Sequence, residues 1–234
     1  ADAVLLVQRA VQVDPGSALA LCKLAEIERD QGRLEEALRL YHVALRLDPM
    51  PFVHLGIGDS LYRMGRIEPA VEAFREALAM QPDSFEANYD LGVALTDLGR
   101  VDEALSHYEA AAANGRDDPR LALALNNLAL LHLERQQLAE AETRLREAVR
   151  LDPKHVESRF NLATVYRRTG RHLEAIALLE ETIRLAPNLE AANVALAIAY
   201  LEAGREEEAL SLLRVVYRLQ PRNWVGVLGA AADQ

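Results

Sequence analysis

Prolines recur along the chain at a nearly constant interval, and this interval restricts the fold more than any other feature of the sequence. Seven of the nine prolines are separated by steps of 34, 33, 37, 34, 34 and 34 residues: Pro15, Pro49, Pro82, Pro119, Pro153, Pro187 and Pro221. Alanines follow nearly the same interval, with steps of 33, 34, 37, 34 and 34 residues: Ala37, Ala70, Ala104, Ala141, Ala175 and Ala209. A fixed period of this size is typical of proteins built from stacked repeats. The sequence therefore predicts one structural unit that is repeated about six times.

Each period has the pattern of two helices joined by a tight turn. In the third period, Ser84 or Asp83 is suited to cap a helix start, and residues 85–98 place apolar side chains at helical spacing. Gly99 then supplies the left-handed residue that closes many helices. A second helical pattern follows with Ala104 and Tyr108. The prolines fall between periods, where a missing N–H group does no harm.

Small residues in the two helices predict a close crossing. Gly58 and Gly92 lie in first helices, in a place that alanine fills in the other periods, and the regular alanine series lies in second helices. Small residues on both sides let two helix axes approach closely. Large side chains such as Tyr41, Phe74 and Tyr108 are then expected to fill the flanks.

The period grows by three residues around residues 113–118, between the third and fourth units. Asn114-Gly115 is a turn signal, and Asp118-Pro119 suits a helix start. We expect a longer connection here and a local change of superhelix pitch. The insertion has two interpretations, a hinge or kinked groove and a tolerated loop.

These features together resemble the tetratricopeptide repeat (TPR), a 34-residue unit with small residues at its eighth and twentieth positions and proline near its end. The resemblance implies an all-α fold, a right-handed α-solenoid of helix–turn–helix repeats. We expect a single superhelix over residues 1–234. Its segments are a half repeat at 1–16, full repeats at 18–50, 51–84, 85–118, 119–155, 156–189 and 190–223, and the start of a further helix at 224–234, with Trp224, Val227, Leu228 and Ala231.

Composition narrows the classes of partner. The formal net charge is -10, which disfavours binding to nucleic acid or anionic lipid. No apolar run approaches the roughly 20 residues of a membrane-spanning helix, so we expect no direct membrane insertion. Cys22 is the only cysteine, so an intrachain disulfide cannot form. The expected compartment is a soluble one, and the cytoplasm and the periplasm both remain open.

The sequence lacks the residue patterns of an active site. No two of the six histidines lie three or four residues apart, so no helix offers a histidine pair to a metal. His132 falls in a slot that tyrosine fills in later repeats, which indicates a core residue. Phosphate loops and nucleophile elbows are also missing. We therefore expect no enzyme activity, no cofactor and no metal.

The TPR resemblance implies that the first helix of each repeat lines a concave groove. On that basis the candidate partner-binding residues are Phe52, Leu55, Asp59, Tyr62, Tyr89, Asp90, Asn126, Asn127, Phe160, Asn161, Arg167, Val194 and Ile198. Chaperone-binding TPR domains grip a terminal carboxylate with basic residues and asparagine on these helices. Leu55 with Asp59, and Phe160 with Thr164, stand where that clamp would be, so a receptor for chaperone tails is not expected.

Three features of this set have competing interpretations. Asn127 and Asn161 occupy equivalent places in adjacent repeats, with Asp90 one repeat earlier, and could hold a peptide backbone. This pattern is similar to the asparagine ladder of protein O-GlcNAc transferases; alternatively, the amides cap or bridge neighbouring helices. The aromatic residues either remain exposed as a contact surface or pack against the next repeat. Arg167 with Arg168 forms a small basic spot or a solvated face.

The sequence thus favours a scaffold that binds a partner peptide or helix in the concave groove. Three alternatives stay open. The chain could be the substrate-docking region of a larger enzyme such as a glycosyltransferase, or a structural component of a bacterial envelope assembly for pili or polysaccharide export. It could also form homo-oligomers through apolar faces of its terminal helices.

Overall fold

A computed structural model describes residues 2–219 of the chain, with side chains over residues 4–214. This range holds thirteen α-helices and no strand. They are α1 (Asp2–Val13), α2 (Ala18–Asp30), α3 (Leu34–Leu47), α4 (Pro51–Arg63), α5 (Ile67–Met80), α6 (Phe85–Asp97), α7 (Val101–Asn114), α8 (Leu121–Glu134), α9 (Leu138–Leu151), α10 (Val156–Arg168), α11 (His172–Leu185), α12 (Glu190–Glu202) and α13 (Glu206–Leu219). The predicted all-α helical-repeat fold is confirmed. The residues around Trp224 lie outside the described part of the chain.

The chain divides into two compact units, Ala1–Ala124 and Leu125–Gln234. In the first unit, each helix from α1 to α7 packs against the next, and α4 also contacts α2 and α6. In the second unit, α9 to α13 pack in the same sequential way, and α10 also contacts α12. First helices of neighbouring repeats therefore touch one another within each unit. The single superhelix and the repeat boundaries remain predictions.

The tight turn inside each repeat depends on one residue with positive φ. Five glycines hold this place with φ between 69° and 78°: Gly32, Gly65, Gly99, Gly170 and Gly204. In the fourth full repeat the residue is Gln136, with φ 61°. At Gly99 the turn is closed by hydrogen bonds from Gly99 N to Thr96 O and from Arg100 N to Leu95 O. The left-handed backbone that this turn requires is favourable for glycine and strained for glutamine.

Side chains cap several of the first helices. The hydroxyls of Ser17 and Ser84 accept hydrogen bonds from Ala20 N and Ala87 N. The cap predicted at Ser84 is therefore confirmed. Pro51 is the first residue of α4, where its missing N–H group would have had no helical partner.

The connection between α7 and α8 is longer than the other connections between repeats. It covers residues 115–120, whereas those before α4, α6 and α10 cover 48–50, 81–84 and 152–155. The predicted long connection is thus confirmed, although α8 begins at Leu121 rather than at Asp118. Asp118 instead accepts a hydrogen bond from Arg120 N at 2.8 Å and pairs with the Arg120 guanidinium at 3.2 Å. The change of superhelix pitch remains a prediction.

In the first unit, aromatic rings lie directly on glycines of an adjacent helix. A Cβ atom on Gly58 would be 2.4 Å from Phe74 Cε1, and one on Gly92 would be 2.8 Å from Tyr108 Cε1. A Cβ atom on Gly56 would be 2.3 Å from the Tyr41 ring. The predicted combination of small residues with large neighbours is confirmed, and the rings leave no space for a methyl group at these glycines.

Replacing Gly58 with alanine tests this packing. Overpacking a core costs about 1–3 kcal/mol, which exceeds the roughly 1 kcal/mol that alanine gains over glycine in a helix. We therefore expect Gly58→Ala to lower the free energy of unfolding, measured by urea denaturation. Gly16→Ala is the control, because a Cβ atom there meets only Asp14 Oδ1 at 3.4 Å. A higher denaturation midpoint for Gly58→Ala would contradict the packing described here.

The turn residues allow a reciprocal test. A Cβ atom on Gly99 would meet nothing within 4 Å, so Gly99→Gln changes only the cost of the left-handed backbone. We expect Gly99→Gln to destabilise the protein by about 1–2 kcal/mol. Gln136→Gly is expected to stabilise it by a smaller amount, because the Gln136 side chain also accepts a hydrogen bond from Arg168. Thermal unfolding of both variants measures the two effects, and shifts of the same sign would refute this assignment of the turns.

Candidate functional site

The first helices of the first unit surround a cavity of about 370 Å³, here called the acidic cavity. Its lining residues are Glu26, Arg29, Tyr41, Phe52, Leu55, Gly56, Asp59, Arg63, Glu86, Asp90 and Arg120. Four of the predicted site residues meet in it: Phe52, Leu55 and Asp59 from α4, and Asp90 from α6. Residues one helical turn apart, such as Leu55 and Asp59, lie on one face of a helix, which explains why α4 contributes several of them.

The arginines of the acidic cavity are already paired with carboxylates. Asp59 lies 3.2 Å from Arg29 and 3.0 Å from Arg63. Arg120 lies 3.6 Å from Glu86 and also pairs with Asp118. These contacts hold the three guanidinium groups in fixed positions around the cavity.

Asp90 differs from the other carboxylates of the cavity. Within the described part of the chain, its side chain makes no ion pair at 4.0 Å or less and no hydrogen bond. Burial is the main cause that raises the pKa of Asp90 to about 7; the Glu86 carboxylate adds to the shift, and Arg120 opposes it. Asp90 is therefore a half-buried carboxyl group that changes charge near neutral pH.

The predicted aromatic residues of the first unit differ in exposure. Phe52 is 39% exposed in the cavity wall. Tyr89 is half-buried, stacked on Phe85 with ring centroids 5.9 Å apart, and the Arg120 guanidinium lies 5.8 Å from its ring centroid. Tyr62 donates a hydrogen bond from its hydroxyl to Asp97 Oδ2 at 2.5 Å. Among these three, Phe52 thus presents the largest exposed fraction for contact with a partner.

The asparagines of the second unit are linked to one another. Asn161 Nδ2 donates a hydrogen bond to Asn126 Oδ1 at 2.9 Å, and Ser158 Oγ donates to the same oxygen at 3.4 Å. Asn126 is only 6% exposed, so it is buried and does not lie on the groove surface on which it was expected. The Asn161–Asn126 hydrogen bond joins α8 to α10. Asn127 and Asn161 are half-buried and remain candidates for contact with a partner.

The other predicted residues of the second unit are partly covered. Phe160 packs against the buried cluster that includes Ala192 and Leu196. Val194 is half-buried, whereas Ile198 on the same helix is 37% exposed. Ile198 is therefore the most accessible apolar side chain of this set in the second unit.

Arg167, one of the two residues of the expected basic spot, lies close to a carboxylate, whereas Arg168 contacts an uncharged amide. Arg167 Nε lies 3.3 Å from Glu202 Oε2, and Arg168 donates a hydrogen bond to Gln136. Arg167 is consequently a weak candidate for recognition of an anion.

Some residues of the acidic cavity were not selected by sequence reasoning. Tyr41 was expected only as a flank of the helix crossing, and Arg120 belongs to the lengthened connection after Pro119. Gly56 was a usable signal, since a second glycine in the same helix as Gly58 indicates another close approach of a ring. Arg120 had no comparable signal, because its position depends on how residues 115–120 fold.

The described residues show little sign of other kinds of site. His132 is 7% exposed and contacts Gln137 Oε1 through Nδ1 at 2.8 Å, as expected of a core histidine. Within residues 2–219, no group of three or more histidine, cysteine or acidic residues could hold a metal ion. None of the described helices is long and apolar enough to cross a membrane.

Comparisons with known proteins agree with the repeat architecture. One relative is the SPINDLY protein of Hordeum vulgare, described as a probable UDP-N-acetylglucosamine–peptide N-acetylglucosaminyltransferase. It is 35% identical to this chain over 111 residues, and the match covers 44% of this chain and 12% of that protein. The chain thus spans only a small part of this relative.

Solved TPR structures resemble much more of the chain. The structure of pilF from Pseudomonas aeruginosa has a TM-score of 0.78 and 18% identity, and the match covers 93% of this chain and 97% of that one. YrrB, described as a TPR protein with an unusual peptide-binding site, has a TM-score of 0.65 and 22% identity, with 80% of this chain and 95% of that one covered. At these identities the two structures support the fold alone.

A family model covers nearly the whole described chain. Residues 5–223 match the model of the cilia and flagella-associated protein 70 C-terminal domain, a TPR family. The match agrees with the thirteen described helices, with the turn residues of positive φ and with the glycine–aromatic crossings. The chain therefore belongs to the TPR proteins, in the family of the cilia and flagella-associated protein 70 C-terminal domain.

Proposed function

We propose that this chain is a protein-interaction scaffold that binds a partner peptide or helix along its first helices. The observation that carries the proposal is the acidic cavity, in which polar and apolar side chains of α2, α4 and α6 come together on a preformed surface. A preformed surface binds with little loss of conformational entropy on its own side. The peptide-binding site named for YrrB supports this class of function.

Phe52 is the side chain expected to contribute most in the first unit. It is 39% exposed in the wall of the cavity, and partly exposed aromatic residues frequently dominate protein interfaces. Leu55 lies beside it in the same wall and is half-buried. In the second unit, Ile198 and the half-buried Asn127 and Asn161 supply the corresponding apolar and amide groups.

The alternatives raised by the sequence gain less support. The match to the SPINDLY protein covers 12% of that protein, so its transferase activity does not transfer to this chain, and we propose no catalytic role for these residues. The resemblance to pilF is one of fold at 18% identity. The substrate-docking, envelope-assembly and homo-oligomer interpretations therefore remain predictions.

Selection of binding peptides from a random library displayed on phage tests the proposal. We expect enrichment of peptides that bind the wild-type chain. For synthetic peptides that contact the first unit, Phe52→Ala should lower the binding affinity at least about tenfold, as measured by fluorescence anisotropy. Leu173→Ala is the matched control, because Leu173 is 70% exposed on α11, a second helix, and its loss should leave the affinity unchanged.

Two results would contradict the scaffold proposal. One is the absence of any enriched peptide. The other is a set of peptides that lose affinity with Leu173→Ala and keep it with Phe52→Ala, which would place binding on the second helices.

A further inference from the structure

We propose that the acidic cavity receives a lysine or arginine side chain of the partner segment, with Asp90 as the group that pairs with its charge; this inference rests on the proposed function. The cavity holds four carboxyl groups and three guanidinium groups: Glu26, Asp59, Glu86 and Asp90, and Arg29, Arg63 and Arg120. Asp90 is the carboxyl group of this lining that has no basic side chain within 4.0 Å among the described residues.

The charges in the cavity are matched unevenly. Asp59 has two arginine partners, at 3.2 Å and 3.0 Å, and Glu26 pairs outside the cavity lining with Lys23 at 2.8 Å. Glu86 is 53% exposed at its side chain and lies 3.6 Å from Arg120, beyond ordinary hydrogen-bond length. A cation that enters between Glu86 and Asp90 would therefore meet one unpaired and one weakly paired carboxyl group.

The lining of the cavity contains a second unmatched polar group. Tyr41 is 1% exposed, lines the cavity and has a hydroxyl with no hydrogen-bond partner among the described residues. Buried hydroxyl groups are usually hydrogen-bonded, and unsatisfied ones recur at sites that a ligand or water completes. This observation is independent of the carboxyl groups and points to the same cavity.

The size and walls of the cavity fit a long basic side chain. A volume of about 370 Å³ lies at the lower end of ligand pockets, which span about 300–1,000 Å³. Phe52 and Leu55 form an apolar wall that can cover the aliphatic stem of lysine or arginine, while the charged end reaches the carboxyl groups.

The three arginines do not favour an anion in the same place. Arg29 and Arg63 share the Asp59 carboxylate, and Arg120 is held between Asp118 and Glu86 while it also lies over the Phe85 ring at 5.3 Å. An acidic side chain would have to displace these partners and approach Asp90, so charge complementarity favours a cation.

Peptides from the selection above provide the test. We expect peptides sensitive to Phe52→Ala to share one lysine or arginine, and replacement of that residue by glutamine to weaken binding at least tenfold. Asp90→Asn, which keeps the shape and removes the charge, should cause a similar loss. Asp83→Asn is the control, because it removes the same charge from an exposed residue in the connection before α6, and it should change affinity less than twofold.

The pH dependence gives a second readout. Glu86 on α6, Asp59 on α4, Arg29 on α2 and Arg120 before α8 are the charged groups that act on Asp90, and burial is the largest cause of its raised pKa. Because a cation prefers the ionised carboxylate, the affinity of wild-type protein for the basic peptide should rise between pH 6 and pH 8. The affinity of Asp90→Asn for the same peptide should stay nearly flat over this range.

Thermal unfolding separates binding from folding. The pKa of Asp90 is higher in the folded state than in the unfolded state, so the stability associated with its proton is present at low pH and is lost as pH rises through about 7. Asp90→Asn lacks this loss and should unfold no earlier than wild type at pH 8. A loss of affinity at pH 8 would then be attributable to the missing charge.

The outcomes distinguish the inference from the proposed function. If peptides require Phe52 but show no shared basic residue, or bind Asp90→Asn as well as wild type, the cavity is not a basic-residue receptor and the scaffold proposal stands. Enrichment of an acidic residue would overturn the inference in favour of an anion held by the arginines. If no peptide is enriched, or none depends on Phe52, binding through the first unit fails and this inference fails with it.

Discussion

The close approach of an aromatic ring to a helical glycine is the interaction on which the first unit depends. Phe74 covers Gly58, Tyr108 covers Gly92, and each ring occupies the space of a missing Cβ atom. Neighbouring helices can therefore pack with their axes close together, which brings successive first helices into contact with one another. A repeat that cannot bury its apolar face alone is stabilised by this stacking.

The same packing determines where charged groups collect. Once α2, α4 and α6 are in contact, polar residues on their faces come close together, and Asp59 and Glu86 lie beside the three arginines of the acidic cavity. The cavity lining has three guanidinium groups for four carboxyl groups. Asp59 is paired with two of the arginines, whereas Asp90 has no basic side chain within 4.0 Å among the described residues. A scaffold for a partner of complementary charge requires this kind of local imbalance, which the net charge of -10 alone does not reveal.

Periodicity was sufficient to predict the helices, their turns and the small residues at the crossings, because these depend on local backbone geometry and on residue volume. The candidate site was predicted less completely. One cavity is lined by four of the predicted residues: Phe52, Leu55, Asp59 and Asp90. Asn126, in contrast, is buried and accepts hydrogen bonds from Asn161 and Ser158. A side chain one position along a helix faces about 100° away, so the half-buried and the buried asparagine of an adjacent pair cannot be told apart without the neighbouring helix.

The sequence by itself determined the repeat, its all-α class, a lengthened connection around residues 113–118 and the turn positions with positive φ, since proline, glycine and apolar spacing act within one repeat. The structure places that connection at 115–120. The tertiary structure decided which charges are paired, because ion pairs such as Arg29–Asp59 join residues from different repeats. It also placed Arg120 over the Phe85 ring and left the Tyr41 hydroxyl unmatched. Those contacts depend on distances between helices, which a pattern along one chain does not contain.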